Sequence, residues 1–244
     1  MSFVSRKFGQ FAYFASEIGD WRWEDKRILD FGGNAGNLLA DADCSVSQAR
    51  YWCIDVSPDA SAEGRRRFPA AHWIHYDRYN FMFNSTGRKH KIIPATPEPF
   101  DLIIAYSVFT HTTQAEMLET VGELADRLAP GGVLAFSFID PDYHRASQTD
   151  GLTNLNWRLT RLAEEIGPFD RSALVRAAEN VSRCILINNE HLIADSDDLP
   201  EIPVDDQKTL HSFYRAGYLA SLFPSAEVRP PANDEMQHCC ILRR

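Results

Sequence analysis

The chain has 244 residues, 44% of them hydrophobic, and a formal net charge of −9. This length suits one α/β domain with a small elaboration, and the acidic balance argues against binding to nucleic-acid phosphates. Since no run of about 18 uncharged apolar residues is found and the first residues lack the apolar core of a signal peptide, we expect a cytoplasmic protein that binds no membrane.

Apolar runs rich in β-branched and aromatic residues alternate with segments of helical period along most of the chain. This alternation is typical of a mostly parallel sheet covered by helices on both faces. The predicted strands are 27–31, 51–55, 72–75, 100–106, 133–139, 226–229 and 238–242. The predicted helices are 8–19, 58–67, a segment that opens near 111 and ends at 129–132, and 206–223. Residues 78–99 are expected to form an ordered loop at the sheet edge.

The helix after the fourth strand has an apolar stripe at helical spacing, which predicts packing against the core. The stripe consists of Met117, Leu118, Val121, Leu124 and Leu128. Between the fifth strand and the last helix the pattern changes to two helices and a hairpin, 184–187 with 191–194. We therefore expect a single domain with an N-terminal lid helix over 1–26, a core over 27–142, an inserted cap over 143–205 and a C-terminal helix with closing strands over 206–244.

The five cysteines and the two basic clusters carry no predicted function of their own. The cysteines are odd in number and show no Cys-x-x-Cys spacing, which argues against a disulfide framework and a metal site. We expect buried free thiols. The clusters at 65–67 and 88–91 are expected to be solvated faces, with contact to an anionic acceptor as the alternative.

The most informative segment is ILDFGGNAGN at 28–37, in which a strand runs into a glycine-rich turn. Glycines let the backbone bend sharply and approach a ligand, and the first N–H groups of the following helix stay unpaired. Asp30 gives the turn a negative charge, which suits a cationic ligand better than a pyrophosphate. Asn34 is among the few residue types that adopt a positive φ readily. The segment thus predicts a site for a nucleotide-like ligand.

This segment resembles the first motif of the class I S-adenosylmethionine-dependent methyltransferases, in which an acid and one further residue precede Gly-x-Gly-x-Gly. Gly32 and Gly36 match, and Asn34 replaces the middle glycine. The resemblance covers roughly 27–140, and weakly the final helix and two strands. It implies a Rossmann-like, doubly wound seven-stranded sheet whose last strand is antiparallel, with S-adenosylmethionine as the cofactor. The segment after the fourth strand favours the small-molecule branch of the family.

The family pattern implies two further acids in the cofactor site. Asp55 ends the second strand, where the family acid accepts hydrogen bonds from both ribose hydroxyls. Asp77 follows the third strand, where the family acid holds the adenine amino group; a turn carboxylate or a salt-bridge partner for Arg78 is the alternative. The cofactor-binding residues expected from the resemblance are Asp30, Gly32, Gly33, Asn34, Gly36, Asp55, Val56, Asp77, Tyr106 and Ser107.

Other classes that share the fold match the motifs less well. The dinucleotide fingerprint of an NAD-dependent oxidoreductase, aligned on Gly32, needs glycines where Asn34 and Asn37 stand. Aminopropyl transferases need paired acids after the fourth strand, where the chain reads YSVFTH at 106–111. The Asn/Asp-Pro-Pro-aromatic motif of amino-methylating DNA and RNA enzymes is absent there. A non-catalytic protein that binds S-adenosylmethionine as a sensor or partner subunit stays open.

Methyl transfer is an in-line displacement, so the main task of the protein is to align the reactants and exclude water. A general base is needed if the acceptor is a hydroxyl or a protonated amine. His111 is the first candidate because it follows the fourth strand, at the edge where open α/β sheets bind ligands; packing beside the cofactor or capping the helix is the alternative. His211 is the second candidate, expected on the last helix. The residues expected to contact the acceptor are Tyr13, Tyr79, Asn80 and Tyr214.

These features together predict transfer of a methyl group from S-adenosylmethionine to an O or N atom of a small organic or peptide-derived acceptor. Apolar residues of the lid helix and the cap would exclude water over such a molecule. The preference for natural-product tailoring follows from this expected acceptor. The sequence predicts no metal and leaves open whether the protein is a monomer or a homodimer.

Overall fold

The computed structural model describes residues 9–19, 22–89, 91–96, 99–145, 152–166, 170–187, 191–199, 209–232 and 236–244. The strands are β1 Ile28–Phe31, β2 Tyr51–Asp55, β3 His72–His75, β4 Phe100–Ala105, β5 Leu128–Phe138, β6 Arg183–Ile187, β7 His191–Ala194, β8 Leu210–Tyr214, β9 Glu227–Arg229 and β10 His238–Arg243. The helices are α1 Gln10–Ile18, α2 Asn37–Asp41, α3 Pro58–Arg67, α4 Gln114–Ala125, α5 Asn154–Ile166, α6 Arg171–Ala178 and α7 Ala216–Leu222. Gly167 and Pro168, predicted to end α5, lie outside the described residues.

Seven of the strands form one sheet in the order β3-β2-β1-β4-β5-β10-β9. The first five strands in this order, β3, β2, β1, β4 and β5, are parallel to one another. β10 is antiparallel to both β5 and β9. The doubly wound fold with an antiparallel last strand is therefore confirmed. Because the order reverses next to β1, the carboxyl ends of β1 and β4 open a crevice, which is where such sheets bind ligands.

The two faces of the sheet are covered by two separate hydrophobic clusters. Neighbouring residues of β1 point to opposite faces, so Ile28 joins one cluster and Leu29 the other. Side chains of α1 and α2 pack with Ile28, and side chains of α4 and α7 pack with Leu29. All four residues of β1 are buried. A strand covered on both faces explains the unbroken apolar run that precedes the glycine turn.

A second, three-stranded antiparallel sheet in the order β7-β6-β8, called the cap sheet below, lies outside the main sheet. The hairpin of β6 and β7 is confirmed. The helix predicted over 206–223 is wrong in its first half, because 210–214 is the strand β8 and the helix α7 begins only at Ala216. The cap sheet thus includes a strand beyond the predicted bounds 143–205. The division of the chain into lid, core and cap stays a prediction.

Three further expectations need correction. The fifth strand begins at Leu128 instead of 133, because the segment 129–132 continues the strand past a shift in register with β4. Leu118 is 37% exposed on α4 and does not belong to the buried stripe. Cys44 is exposed, whereas the other four cysteines are buried as expected.

Candidate active site

A cavity of about 590 Å³ opens at the carboxyl ends of β1, β2 and β4. Its volume lies within the range of about 300–1,000 Å³ that is usual for small-molecule sites. The predicted site residues that line it are Gly32, Asn34, Asp55, Val56, Tyr79, Asn80, Tyr106, Ser107 and His111. The fold therefore brings most of the predicted cofactor-binding residues, and one of the two candidate bases, to a single concave surface.

The glycine turn forms one wall of this cavity. Gly32 has a φ of 73°, and a Cβ atom there would lie 2.4 Å from the Cγ2 of Val108. Asn34 has a φ of 53°, in the left-handed region that the sequence analysis expected it to tolerate. The positive φ angles turn the chain sharply between β1 and α2, so that backbone rather than side chains faces the cavity.

Asp30 lies beneath the turn and does not belong to the cavity lining. Its carboxylate accepts a hydrogen bond of 2.6 Å from the Tyr51 hydroxyl, and a Cβ atom on Gly33 would lie 2.5 Å from it. Burial raises the pKa of Asp30 to about 7, while the bond from Tyr51 acts in the opposite direction. Asp30 and Gly33 thus shape the turn from below, and Asp30 is only partly ionised at neutral pH.

Asp55 is 8% exposed at the end of β2 and lines the cavity. One carboxylate oxygen accepts the N–H of Asn34 at 2.8 Å and the other accepts the N–H of Ser57 at 2.8 Å. Burial raises the pKa of Asp55, and these two N–H donors oppose the rise. Since a carboxylate oxygen can accept about two hydrogen bonds, each oxygen keeps acceptor capacity for a further donor. This geometry suits a pair of adjacent hydroxyl groups.

The structure directs the Asp77 carboxylate elsewhere. It accepts a bond from Asn84 at 3.4 Å and lies 3.5 Å from the guanidinium of Arg88. Its neighbours Tyr76 and Arg78 line the cavity instead. Arg78 pairs with Glu119 at 2.5 Å, whereas the Asp77 carboxylate contacts Asn84 and Arg88 of its own loop, as a turn carboxylate would.

His111 lines the cavity from a short 3-10 turn, Phe109–His111, that precedes α4. Its Nδ1 lies 2.7 Å from the carbonyl oxygen of Leu210 on β8. Because a carbonyl can only accept, Nδ1 carries the proton and Nε2 holds the lone pair of the neutral ring. Burial lowers the pKa of His111 below 6.5, so the ring is neutral at neutral pH.

His211 lies on β8 and not on the last helix, which corrects the sequence prediction. Its ring centroid is 5.2 Å from that of His111. Its Nε2 lies 2.7 Å from a guanidinium nitrogen of Arg158, which can only donate, so this lone pair is already engaged. Burial lowers the pKa of His211 to about 3. His211 therefore has no free lone pair at Nε2 with which to act as a base.

The residues expected to contact the acceptor divide into two pairs. Tyr79 and Asn80 line the cavity near His111. The Asn80 side chain donates to the carbonyl of His111 at 3.2 Å and accepts two backbone N–H groups of its own loop, so it also fixes that loop. Tyr13 and Tyr214 are not part of the lining: Tyr13 donates to the carbonyl of His238 at 2.8 Å, and Tyr214 is 1% exposed.

Sequence reasoning missed several residues of the lining. Four of them are close in sequence to predicted site residues, and this nearness to Asp77 and His111 was the available signal. They are Arg78, Phe83, Thr112 and Glu116. Gln10 and Gln237 come from the two ends of the chain. No local pattern marks them, because only the folded chain brings α1 and the segment before β10 to this edge.

These features fit a nucleoside that carries a positively charged sulfur. The backbone turn at Gly32 gives a close approach, Asp55 retains acceptor capacity for two hydroxyls, and the buried acid beneath the turn favours a cation over a phosphate. The fold and the site together define a class I S-adenosylmethionine-dependent methyltransferase. In agreement, residues 29–134 match the family model of a methyltransferase domain.

Several solved structures, two of them of methyltransferases, share the fold over nearly the whole chain. The glycopeptide N-methyltransferase MtfA, complexed with S-adenosylmethionine, aligns with a TM-score of 0.53 and 12% identity over 98% of this chain and 94% of its own. DesVI from Streptomyces venezuelae aligns at 0.52 and 13%, over 96% and 91%. CalS10, an amino pentose methyltransferase from Micromonospora echinaspora, aligns at 0.51 and 14%, over 98% and 92%. At such identities these matches show the common fold alone.

Among the described residues, no helix is long and apolar enough to cross a membrane. The same part of the chain contains no group of three or more His, Cys, Asp or Glu side chains arranged to hold a metal ion.

Proposed function

We propose that the protein methylates a nitrogen atom of a small organic or peptide-derived acceptor, as a tailoring step on a natural product. The observation that carries this proposal is the cavity that joins the glycine turn and Asp55 to a neutral, half-buried His111. When bound, S-adenosylmethionine supplies a methyl group on a positively charged sulfur. The protein then has to align the reactants, exclude water and remove a proton.

In this proposal the cofactor lies along the carboxyl ends of β1, β2 and β4. Asp55 accepts hydrogen bonds from the two ribose hydroxyls with the acceptor capacity that Asn34 and Ser57 leave free. The turn at Gly32, together with Val56, Tyr106 and Ser107, lines the same cavity and would enclose the rest of the cofactor. Asp30 and Gly33 support this wall from beneath instead of contacting the ligand.

His111 is the proposed general base. Its Nε2 lone pair would take the proton from the acceptor nitrogen, while Nδ1 stays bonded to the carbonyl of Leu210. This bond fixes the tautomer and the orientation of the ring. Phe83, which is 53% exposed and packs edge-on against His111 at 5.5 Å, offers an apolar surface at the cavity mouth for the body of the acceptor.

The choice of nitrogen is supported by two of the structural neighbours, whose names describe an N-methyltransferase of a glycopeptide and a methyltransferase of an amino pentose. A hydroxyl acceptor would need the same base and the same cavity, so O-methylation is the second candidate. A sensor that only binds the cofactor would retain the glycine turn and Asp55 but would have no use for a base at the acceptor side.

Binding of S-adenosylhomocysteine, measured by calorimetry, tests the cofactor half of the proposal. Asp55→Ala should weaken binding by about 3 kcal/mol or more, roughly 100-fold, because two hydrogen bonds to a charged acceptor are lost. Asp77→Ala is the matched control: it removes a carboxylate from the neighbouring strand end but should leave the affinity within a few-fold, since Asp77 bonds Asn84 and Arg88. Binding of NAD in place of S-adenosylhomocysteine would overturn the assignment.

Methyl transfer from labelled S-adenosylmethionine tests the acceptor half. An amino sugar and a peptide with a free amino terminus should become labelled, and their hydroxyl analogues should not. His111→Asn should slow this transfer by about 100-fold or more without weakening cofactor binding. Labelling of the hydroxyl analogues alone would favour O-methylation, and cofactor binding without any transfer would favour the sensor.

A further inference from the structure

The base candidate His111 contacts His211, a second half-buried histidine, which in turn contacts the guanidinium of Arg158. We propose that Arg158 on α5 and His211 on β8 are positioning residues that keep His111 in its neutral form, with Nε2 free to accept a proton. The proposal rests on the function proposed for His111. It assigns to the cap sheet and α5 a role in the chemistry, although the cavity lining described above contains no residue of these elements.

The first step is the protonation state of His211. A guanidinium nitrogen of Arg158 lies 2.7 Å from its Nε2. A guanidinium stays charged and only donates hydrogen bonds, so Nε2 of His211 must hold its lone pair. The single ring proton of His211 is then on Nδ1. A second proton on this ring would have to displace the bond from Arg158, which fixes His211 as neutral.

The second step is the effect on His111. The two imidazole rings lie 5.2 Å apart at an angle of 59°. A proton added to His111 would place an imidazolium among buried groups, close to a ring that is bonded to a guanidinium. Burial is the main cause that lowers the pKa of His111, and the positive charge of Arg158 lowers it further, against the bond to the Leu210 carbonyl. The pKa of His211 is lowered by the same two causes.

The charged and titratable groups around His111 come from three elements. α5 contributes Arg158 and β8 contributes His211, together with the carbonyl of Leu210. The loop after β3 contributes Phe83, which packs against the His111 ring, and the Asn80 amide, which donates to the His111 carbonyl. Neither side chain carries a charge. α4 contributes Glu116, whose carboxylate accepts the backbone N–H of Thr113 at 2.9 Å in a capping box. Arg158 is therefore the cation in this set, and removing it should change the protonation of His111.

The experiment is an NMR titration of the full chain labelled with ¹³C and ¹⁵N in histidine, with His111 assigned from the loss of its signal in His111→Asn. In the wild type, His111 should titrate below its ordinary pKa of 6.5 and carry its neutral proton on Nδ1. Arg158→Gln should raise the pKa of His111 toward 6.5, because the positive charge is gone. Arg158→Lys should keep it low, since a lysine retains the charge.

Arg145→Gln is the matched control. Arg145 lies 4.8 Å above the ring of Trp157, the neighbour of Arg158 on α5, so this variant removes a charge from the same region without touching His211. It should leave the His111 titration unchanged. A merely structural role of Arg158 would give the same His111 pKa in Arg158→Gln and Arg158→Lys, and that result would overturn the inference. A wild-type His111 that is protonated at neutral pH would overturn it too.

Binding of S-adenosylhomocysteine, measured on the same samples, separates this inference from the proposed function. All the Arg158 and Arg145 variants should bind it as the wild type does, which also shows that they are folded. If the wild type does not bind it, the proposed function fails. If it binds and Arg158→Gln leaves the His111 pKa unchanged, only the positioning role fails.

Discussion

Gly32 and Gly131 have nearly the same backbone conformation, with φ angles of 73° and 76°, but different surroundings. A Cβ atom on Gly32 would lie 2.4 Å from Val108, whereas one on Gly131 would meet nothing within 4 Å. The first glycine is therefore required by both conformation and space, the second by conformation alone. At the scale of single residues, the cavity depends on such close approaches between the turn and the segment after β4.

This contrast predicts different losses for two alanine variants. Gly131→Ala should cost about 1–2 kcal/mol in the free energy of unfolding, the usual penalty for a left-handed residue. Gly32→Ala should cost about 1–3 kcal/mol more, because the new methyl group overpacks against Val108. Urea unfolding without ligand measures both. Equal losses would mean that Val108 moves aside freely and that space does not require the glycine.

At the scale of elements, the cap sheet is tied to α4 by a carboxylate. Asp197, which follows β7, accepts the N–H groups of Gln114 and Ala115 at 3.0 Å each. It also pairs with Arg183 of β6 at 2.7 Å. These contacts join the first turn of α4, directly after His111, to the sheet that contains His211. A negative charge at this helix end is favourable because the unpaired N–H groups there carry positive partial charge.

Removing this carboxylate should destabilise the folded chain by about 1–2 kcal/mol, the usual cost of losing a helix cap. We expect this for Asp197→Ala in urea unfolding. Asp198→Ala is the matched control, since the neighbouring Asp198 is exposed and its side chain bonds only Ser196 among the contacts seen. It should change stability by less than about 0.5 kcal/mol. A similar small change for both variants would argue against a capping role of Asp197 at the start of α4.

At the scale of the whole molecule, the buried acid beneath the turn links global stability to pH. Asp30 has an ordinary pKa of 3.8 in the unfolded chain and one of about 7 in the fold, where burial disfavours its charge. Between these values the folded chain binds more protons than the unfolded chain. The free energy of unfolding therefore falls as the pH rises through this window and levels off above it.

Asp30→Asn should remove this contribution, which amounts to at most about 1.4 kcal/mol for each pH unit. Urea unfolding at a series of pH values should show a shallower fall for this variant than for the wild type between pH 3.8 and 7. Asp59→Asn, which removes an exposed carboxylate on α3, should keep the wild-type slope. The same slope for Asp30→Asn would mean that Asp30 is ionised in the fold.

The elements that the sequence predicted well are those whose local pattern is compatible with only one type of secondary structure. The strands β2 and β3 begin and end where predicted, and Pro58 with the Ser57 side chain starts α3 as expected. The segment LHSFY at 210–214 has no such signal, because a short run of apolar and polar residues suits a helix as well as a strand. Pairing with β6 decides it, and this pairing also turns His211 toward His111.

By itself the sequence determined the fold class, the glycine turn, and the positions of Asp55 and His111 at the cavity, because each depends mainly on local sequence patterns. Only the tertiary structure decided which carboxylates face the cavity, since Asp77 turns to Arg88 and Asp30 lies under Gly33. It also decided that Arg158 meets His211, a contact between residues 53 positions apart. Such long-range contacts depend on packing between elements, which no local pattern encodes.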